Sequence, residues 1–207
     1  MTSKSFKDRD WPTIVFMNSS LENAEYNFSD FFYPIFERTK VYRRIAGYFS
    51  SSSLGYLCEG IGELIANDGD MYLIVSSELT ESDYMAIENG ICSKEEFLEK
   101  SWDSLLEETD GNIELRDCCE ALSWLLANER LHMKIGFNLY NGRILSNAES
   151  KFHEKVAIYE DYDGNHMMTI GSTNETGAAY VRNRDIMSVQ EGWRHSESIY
   201  CLLYTSP

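Results

Sequence analysis

Residues 152–185, which read FHEKVAIYEDYDGNHMMTIGSTNETGAAYVRNRD, decide the fold of this chain. Side chains alternate between the two faces of an extended segment, so His153 and Lys155 project to the same side. An Asp-Gly turn signal at 163–164 is followed by an apolar run at 167–170, which is typical of a return strand. The stretch therefore predicts a β-hairpin with an imidazole and an ammonium side by side at the start of its first strand.

Small polar residues follow the predicted return strand. Gly171, Ser172 and Asn174 come directly after it, and the hairpin carries them back toward His153 and Lys155. A neutral imidazole can act as a nucleophile, while an ammonium, an amide and a hydroxyl supply charge and hydrogen-bond donors to a phosphoryl transition state. This combination suits attack on a phosphate ester and requires no metal ion or cofactor.

These residues resemble the signature half-site of the phospholipase D superfamily. The resemblance is carried by three groups, namely His153-x-Lys155, Gly171-Ser172-x-Asn174 and Asn183-x-Asp185. The superfamily pattern has Asp after H-x-K and four further residues, whereas this chain has Glu160 there, with Asp161 as its neighbour. The interval from Glu160 to Gly171 is also longer than usual. Because a longer hairpin and a retained carboxylate are both tolerable, the departures indicate a divergent, nuclease-like branch.

The resemblance implies a role for each residue of the half-site. His153 acts as nucleophile and, in the other subunit of a homodimer, as general acid, because the chain carries one half-site in which H-x-K is followed by G-S-x-N, and the superfamily's active centre uses two. Lys155 and Asn174 clamp the phosphate, and Ser172 donates a hydrogen bond in the same pocket. Asp185 holds an imidazole nitrogen and fixes its tautomer. The implied activity is metal-independent phosphodiester cleavage, as by a nuclease, through a phosphohistidine intermediate.

A second resemblance covers the first part of the chain. Residues 47–54, GYFSSSSL, and 73–83, LIVSSELTESD, resemble the opening of phospholipase D-like domains that precede helicase modules in bacterial defence and restriction proteins. Together with the half-site, this resemblance extends the expected domain over residues 26–192. We therefore expect an N-terminal segment at 1–25 and an irregular tail at 193–207 that is a truncated or artefactual end. A helicase module is expected beyond it in a longer natural chain.

A serine-rich turn joins a predicted strand at 41–50 to a predicted helix at 54–66. Ser50 and Ser51 are candidate substrate-binding residues, because backbone amides and hydroxyls at a helix start can cradle an anion. The alternative is that the serines only cap the helix. A further strand at 71–77 follows, and strand, helix, strand in this order predicts a right-handed crossover with two parallel strands.

The remaining pattern predicts an α/β fold, with a mixed β-sheet flanked by helices as in one phospholipase D-like half. An aromatic helix is expected at 27–40, and acidic helices are expected in the middle of the chain. The alternating apolar residues of 131–139 predict a strand beside the hairpin, followed by a loop at 141–150. A last short strand, 186–190, carries Asp185 at its start.

Composition sets the bounds on class and location. The 207 residues are 43% hydrophobic, which is enough for a packed core, and no apolar stretch of about 18 residues is present. Five cysteines, without a C-x-x-C pair or a Cys/His ligand set, fit a reducing compartment and no structural zinc. With a polar and charged start in place of a secretory signal, the expectation is a cytoplasmic protein with no membrane partner.

The net charge of −16 opposes binding to a polyanion. Much of the acid lies between 78 and 129, however, whereas Arg182 and Arg184 lie close in sequence to the proposed site, so the local field there can be positive. These two arginines are therefore candidate substrate-binding residues, with ordinary surface arginines as the alternative. The expected partner is nucleic acid, with DNA favoured over RNA.

Other functions are compatible with the same residues. A phospholipase D-like fold can persist with a decayed site, and it can serve as a non-catalytic dimerisation or nucleic-acid-sensing module for a downstream motor. A lipid phosphodiesterase is disfavoured, because the sequence has neither a basic amphipathic helix nor a second half-site in which H-x-K is followed by G-S-x-N. The identity of the phosphodiester and the biological trigger stay open.

Overall fold

One mixed sheet organises the part of the chain that the computed structural model describes, namely residues 4–17, 28–46, 60–76, 121, 124–136, 138–145, 154–171 and 185–194. The strands of these ranges are, in chain order, β1 (Ile14–Met17), β2 (Val41–Ala46), β3 (Asp70–Ser76), β4 (Leu131–Gly136), β5 (Leu139–Tyr140), β6 (Arg143–Ile144), β7 (Lys155–Glu160), β8 (His166–Gly171) and β9 (Asp185–Glu191). Seven of them form one sheet in the order β1-β9-β8-β7-β2-β3-β4, and β5 pairs with β6 separately.

The helical segments of the described residues are short. They are a 3-10 turn at Phe6–Asp8, a π-helical turn at Phe28–Phe32, an α-helical turn at Tyr33–Phe36, and helical residues at 60–66 and 124–127. Pro34 lies in the first turn of the α-helical segment, where its missing N–H costs no intrahelical hydrogen bond. The predicted aromatic helix at 27–40 is confirmed over its central part.

Strand pairing confirms two predictions. β7 and β8 are antiparallel neighbours, with Val156 opposite Ile170 and Glu160 opposite His166, as the hairpin pattern predicts. β2 and β3 are parallel, as the strand-helix-strand order predicts, and β9 begins at Asp185 beside β8. The described fold is therefore α/β with a mixed sheet.

The prediction that the 131–139 strand lies beside the hairpin is wrong. β4 covers Leu131–Gly136 and pairs in parallel with β3 at one end of the sheet. The neighbours of the hairpin are instead β2 and β9. The alternation of apolar residues sets which face of a strand is buried, but it carries no information about the neighbouring strand.

The loop expected at 141–150 begins inside a second, two-stranded hairpin. Leu139 pairs with Ile144 and Tyr140 with Arg143. Asn141 and Gly142 form the turn with φ values of 52° and 80°, which are the positive values that a type I′ turn requires at both central positions. The Asn-Gly pair was a hairpin signal in the sequence that the prediction missed.

The main core lies on one face of the sheet, which we call the core face. Along β7 this face carries the buried Ala157 and Tyr159, and the helical segments pack against it through aromatic and aliphatic side chains. Tyr42 and Tyr159 pack with their rings tilted by 34° and their centroids 5.1 Å apart, and Phe36 meets both edge-on at 5.0 and 5.7 Å. Other buried members of this cluster are Phe6, Trp11, Phe31, Phe32, Ile35, Ile61, Leu64 and Leu125.

The N-terminal residues join the same core as the rest of the described sheet. β1 pairs antiparallel with β9, and Phe6 and Trp11 are buried against the core face. The carboxylate of Asp161, at the turn of the β7-β8 hairpin, accepts hydrogen bonds from Phe6 N and from the Ser5 hydroxyl. Part of the predicted segment 1–25 is thus tied to the predicted domain 26–192.

Candidate functional site

Seven strand ends meet at one edge of the sheet, which we call the site edge. β2, β3 and β4 run parallel, so their carboxyl ends lie together, and the antiparallel partner β7 begins where β2 ends. β8 ends close to where β9 begins, because Gly171 is opposite Met187, and β1 ends opposite the first residue of β9. The strand ends that define the site edge are Met17, Ala46, Ser76, Gly136, Lys155, Gly171 and Asp185.

Two of the predicted site residues are described by the structure, and both lie at the site edge. Lys155 is the first residue of β7, and Asp185 is the first residue of β9. The other predicted site residues lie outside the described residues: His153, Ser172, Asn174, Ser50, Ser51, Arg182 and Arg184. By sequence each of these lies within five residues of a strand end of the site edge, and all but Ser50 and Ser51 lie within three.

Lys155 is buried at the start of its strand. Only 6% of its surface is exposed, and it lies on the core face with Ala157 and Tyr159, two and four residues further along β7. Its neighbour across β2 is Ala46, and the residue beyond the Val156–Ile170 pair on β8 is Gly171. The aliphatic part of the Lys155 side chain therefore starts between Ala46 and Gly171, which are two of the smallest residues in the sheet.

Gly171 is required by the close approach of β9. A Cβ atom added at this position would lie 2.2 Å from the carbonyl oxygen of Ile186 and 2.9 Å from the Cα of Met187. Both contacts are with backbone, so no side-chain rotation can relieve them. The glycine of the Gly-Ser pattern thus has a steric reason in this fold, and it brings β8 and β9 together at the site edge.

Two further polar residues lie beneath Lys155 on the core face. Arg44 is 5% exposed and sits opposite Ala157 on β2, while Thr169 is 1% exposed and sits opposite Ala157 on β8. The Thr169 hydroxyl has no hydrogen-bond partner among the described residues. Sequence reasoning missed both. The VYRRIA alternation gives no choice between the two arginines, because Arg44 falls in phase with Tyr42 and Ala46 while Arg43 falls in phase with Val41 and Ile45.

Glu160, which occupies the position of the superfamily's Asp, lies at the other end of β7. Its Oε2 accepts a hydrogen bond from Arg43 at 2.8 Å and lies 3.5 Å from His166 Nε2. The hydrogen bond with His166 and the adjacent Arg43 guanidinium lower the pKa of Glu160 to about 2. Five residues of strand, roughly 16 Å, separate it from Lys155. Glu160 therefore connects β7 to its two neighbouring strands at the far end of β7, and it is not part of the site edge.

Searches of the described ranges found neither a metal-ligand group nor a membrane-spanning segment. No group of three or more His, Cys, Asp or Glu residues in these ranges is placed to hold a metal ion. No helix in them is long and apolar enough to cross a membrane. Among the scattered histidines, His132 stacks on Tyr72 at 4.4 Å, and His166 contacts Glu160.

The described residues form an α/β fold, with a mixed seven-stranded sheet and helical segments packed on its core face. The structure is similar to that of NucT from Helicobacter pylori, with a TM-score of 0.51 and 12% identity over 93% of this chain and 94% of that chain. This similarity covers nearly all of both chains, and it confirms the predicted resemblance at the level of the fold.

Two other solved structures match with lower TM-scores. Nuc from Salmonella typhimurium, described as a phospholipase D family member, matches at 0.39, with 15% identity over 81% of this chain and 78% of that chain. A mutant of yeast tyrosyl-DNA phosphodiesterase matches at 0.43, with 9% identity over 86% of this chain and 30% of that chain. No family model matches the sequence, and a search of the curated proteins found no match either.

Proposed function

We propose that this protein is a metal-independent phosphodiesterase, specifically a nuclease that works through a phosphohistidine intermediate. The observation that carries the proposal is the meeting of the β7, β8 and β9 ends at the site edge, beside the buried Lys155. His153 precedes Lys155 by two residues, and Ser172 follows Gly171 directly. The phospholipase D-like fold supports the same proposal, because it is the fold that the motif residues predict.

The proposed reaction has two steps. In the first, a nitrogen of His153 attacks phosphorus, the P–O bond to the leaving group breaks, and the His153 of a second copy gives its proton to the leaving oxygen. In the second, water attacks the phosphohistidine and gives up a proton to the second imidazole, which restores both side chains. Asp185 orients an imidazole by accepting from its other nitrogen.

Burial strengthens the electrostatic part of this mechanism. Lys155 is 6% exposed, so its charge acts on a bound phosphate with little screening by water. In the proposed site, Asn174 and Ser172 add neutral donors to the same phosphate oxygens. Outside it, Ser50, Ser51, Arg182 and Arg184 bind the flanking phosphates of the substrate.

The proposed assembly is a homodimer with the two His153 residues facing across a two-fold axis. The chain has one half-site in which H-x-K is followed by G-S-x-N, and this supports the dimer because the mechanism requires two imidazoles. The proposed substrate is nucleic acid, with DNA favoured over RNA, and the proposed context is a cytoplasmic protein with a C-terminal helicase module. Such a module would supply the nucleic-acid binding that the net charge of −16 on this chain opposes.

The direct test is phosphodiester cleavage in EDTA. Bis-p-nitrophenyl phosphate, single-stranded DNA and double-stranded DNA are incubated with wild-type protein, His153→Ala and His132→Ala. We expect turnover that resists EDTA, falls by at least about 100-fold in His153→Ala, and persists in His132→Ala. His132 is a matched control, because its imidazole is exposed and stacks on Tyr72 on the opposite face of the sheet from Lys155.

The mechanism also predicts a covalent intermediate. Rapid quenching during turnover of a phosphorus-labelled diester should trap label that is stable in alkali and labile in acid, as expected for phosphohistidine, and His153→Ala should trap none. Turnover that requires a divalent metal, or that survives in His153→Ala, would refute the proposal. No turnover from a well-folded dimer would favour the non-catalytic sensing module instead.

A further inference from the structure

The β5-β6 hairpin carries the two most exposed large apolar side chains of the described ranges. Leu139 and Tyr140 are each 66% exposed. Because successive residues of a strand project to opposite faces, the chain covers neither face of the hairpin at these positions. A two-stranded hairpin is marginally stable in water unless another surface packs on it, so this exposure indicates contact with a ligand or a partner.

Turn chemistry fixes the shape of this hairpin. Asn141 and Gly142 have the positive φ values of a type I′ turn, and Leu145 N donates to the Asn138 carbonyl at 2.8 Å at the base of the two strands. Tyr140 directly precedes the turn, and a tyrosine side chain has only two χ angles to immobilise. Its ring is therefore presented for contact at a low cost in conformational entropy.

The hairpin lies beside the site edge. It begins three residues after Gly136, where β4 ends at that edge, and its base at Asn138 is within roughly 7 Å of Gly136 along the chain. Two strands, β2 and β3, separate β4 from β7, so Gly136 is roughly 14 Å from Lys155 across the sheet. A ligand bound at Lys155 that extends along the site edge by this distance reaches the hairpin.

The charge of this part of the chain favours an extended anion. Residues 131–148, which include β4 and the hairpin, contain no Asp or Glu but contain Lys134 and Arg143, in a chain of net charge −16. In the hairpin register, Arg143 is the strand partner of Tyr140. A polyanion therefore meets less repulsion here than over the chain as a whole. A nucleic acid is the polyanion whose bases also match an exposed aromatic ring.

An exposed tyrosine selects the single-stranded form of such a ligand. In a duplex each base is already stacked on its neighbours, whereas the bases of a single strand can stack on an aromatic side chain. Stacking is tolerant of sequence and involves no net charge, so the acidity of the chain opposes it less than it opposes contacts with phosphates.

We propose that the β5-β6 hairpin binds single-stranded nucleic acid, with Tyr140 stacking on a base a few nucleotides from the scissile phosphate. Leu139 contacts the neighbouring base from the other face of the hairpin, which accounts for the exposure of both side chains. The inference deepens the proposed function by naming a single strand as the substrate class. It rests on that function for the position of the cleaved bond.

The test measures stacking directly with single-stranded DNA that contains 2-aminopurine, whose fluorescence is quenched when it stacks. All proteins carry His153→Ala, so that the DNA stays intact, and the second change is Tyr140→Ala, Tyr140→Phe or Tyr162→Ala. We expect Tyr140→Ala to raise the Kd at least about 5-fold and to abolish the quenching, while Tyr140→Phe retains both. Tyr162 is the matched control, because it is a 45% exposed tyrosine in the turn at the other end of β7, and its Kd should stay within about 2-fold.

Light scattering on the same proteins tests the main alternative occupant, a second copy of the chain. A change of oligomeric state in Tyr140→Ala, with the DNA affinity unchanged, would make the hairpin a contact between copies and overturn the inference. Quenching that persists in Tyr140→Ala, or no binding of single-stranded DNA without the second change, would also overturn it. Tyr140 is exposed, so circular dichroism should show Tyr140→Ala to be folded.

The two proposals fail in different ways. Single-strand binding that depends on Tyr140, without EDTA-resistant turnover by the wild-type protein, would support the hairpin and refute the proposed enzyme. Turnover that depends on His153, with single-strand affinity and quenching unchanged in Tyr140→Ala, would support the enzyme and refute the role of the hairpin. The binding assay therefore separates the stacking contact from the reaction.

Discussion

Replacing Asp161 by alanine tests how the N-terminal residues are held on the central hairpin. Asp161 is 2% exposed, and its carboxylate accepts from three backbone amides, those of Phe6 at 2.8 Å, Asp163 at 3.0 Å and Asn165 at 2.8 Å. It also accepts from the Ser5 hydroxyl at 2.9 Å and from the Asn165 side-chain amide at 3.0 Å. One buried carboxylate thus joins the β7-β8 turn to the segment before β1.

The magnitude follows from the donors that alanine would leave behind. Phe6 N–H is buried, and leaving it unpaired costs about 1–3 kcal/mol. The amides of Asp163 and Asn165 are partly exposed and can recover water, so they add less, and we expect a total loss of about 3–5 kcal/mol. For a chain of this size that loss lowers Tm by about 6–20 °C.

Thermal unfolding at pH 7, followed by circular dichroism and calorimetry, measures the effect. Asp163→Ala is the matched control, because that carboxylate is exposed in the same turn, and it should stay within about 0.5 kcal/mol of wild type. Turnover should survive in folded Asp161→Ala, since Lys155 lies at the opposite end of β7. A Tm for Asp161→Ala within about 2 °C of the control would refute the reasoning.

Three further predictions concern the sheet and the site. Gly171→Ala places a methyl group 2.2 Å from the Ile186 carbonyl, so we expect Tm and turnover both to fall, whereas Gly62→Ala, with nothing within 4 Å of its added Cβ, should leave turnover unchanged in the same assays. Lys155→Met removes a buried charge and keeps the stem; turnover should fall by at least about 100-fold in protein that circular dichroism shows to be folded, and retained turnover in the folded variant would count against a catalytic role. Because the pKa of Glu160 is lowered from 4.5 to about 2, its ion pair stabilises the fold above pH 4.5 and loses this contribution as pH falls toward 2. Urea unfolding should therefore show the gap between wild type and Glu160→Gln narrowing from pH 6 to pH 3, and a constant gap would contradict the ion pair.

Local sequence signals determined the elements around the candidate site. Apolar alternation and the Asp-Gly turn predicted the β7-β8 hairpin, and the strand-helix-strand order predicted the parallel β2-β3 pair. The motif residues also predicted the phospholipase D-like fold. These features depend on neighbours a few residues apart, where turn chemistry and side-chain period act directly. The roles of His153, Ser172, Asn174 and Asp185 stay predictions from the sequence.

Only the tertiary structure decided which strands are neighbours and which polar groups share a face. The position of β4 beside β3, rather than beside the hairpin, is a long-range choice that periodicity does not encode. The same holds for Arg44, since two adjacent arginines in a strand must face opposite ways, and the sequence does not say which one is buried. The position of Arg44 beneath Lys155 depends on the register of β2 against β7, and that register exists only once the sheet has formed.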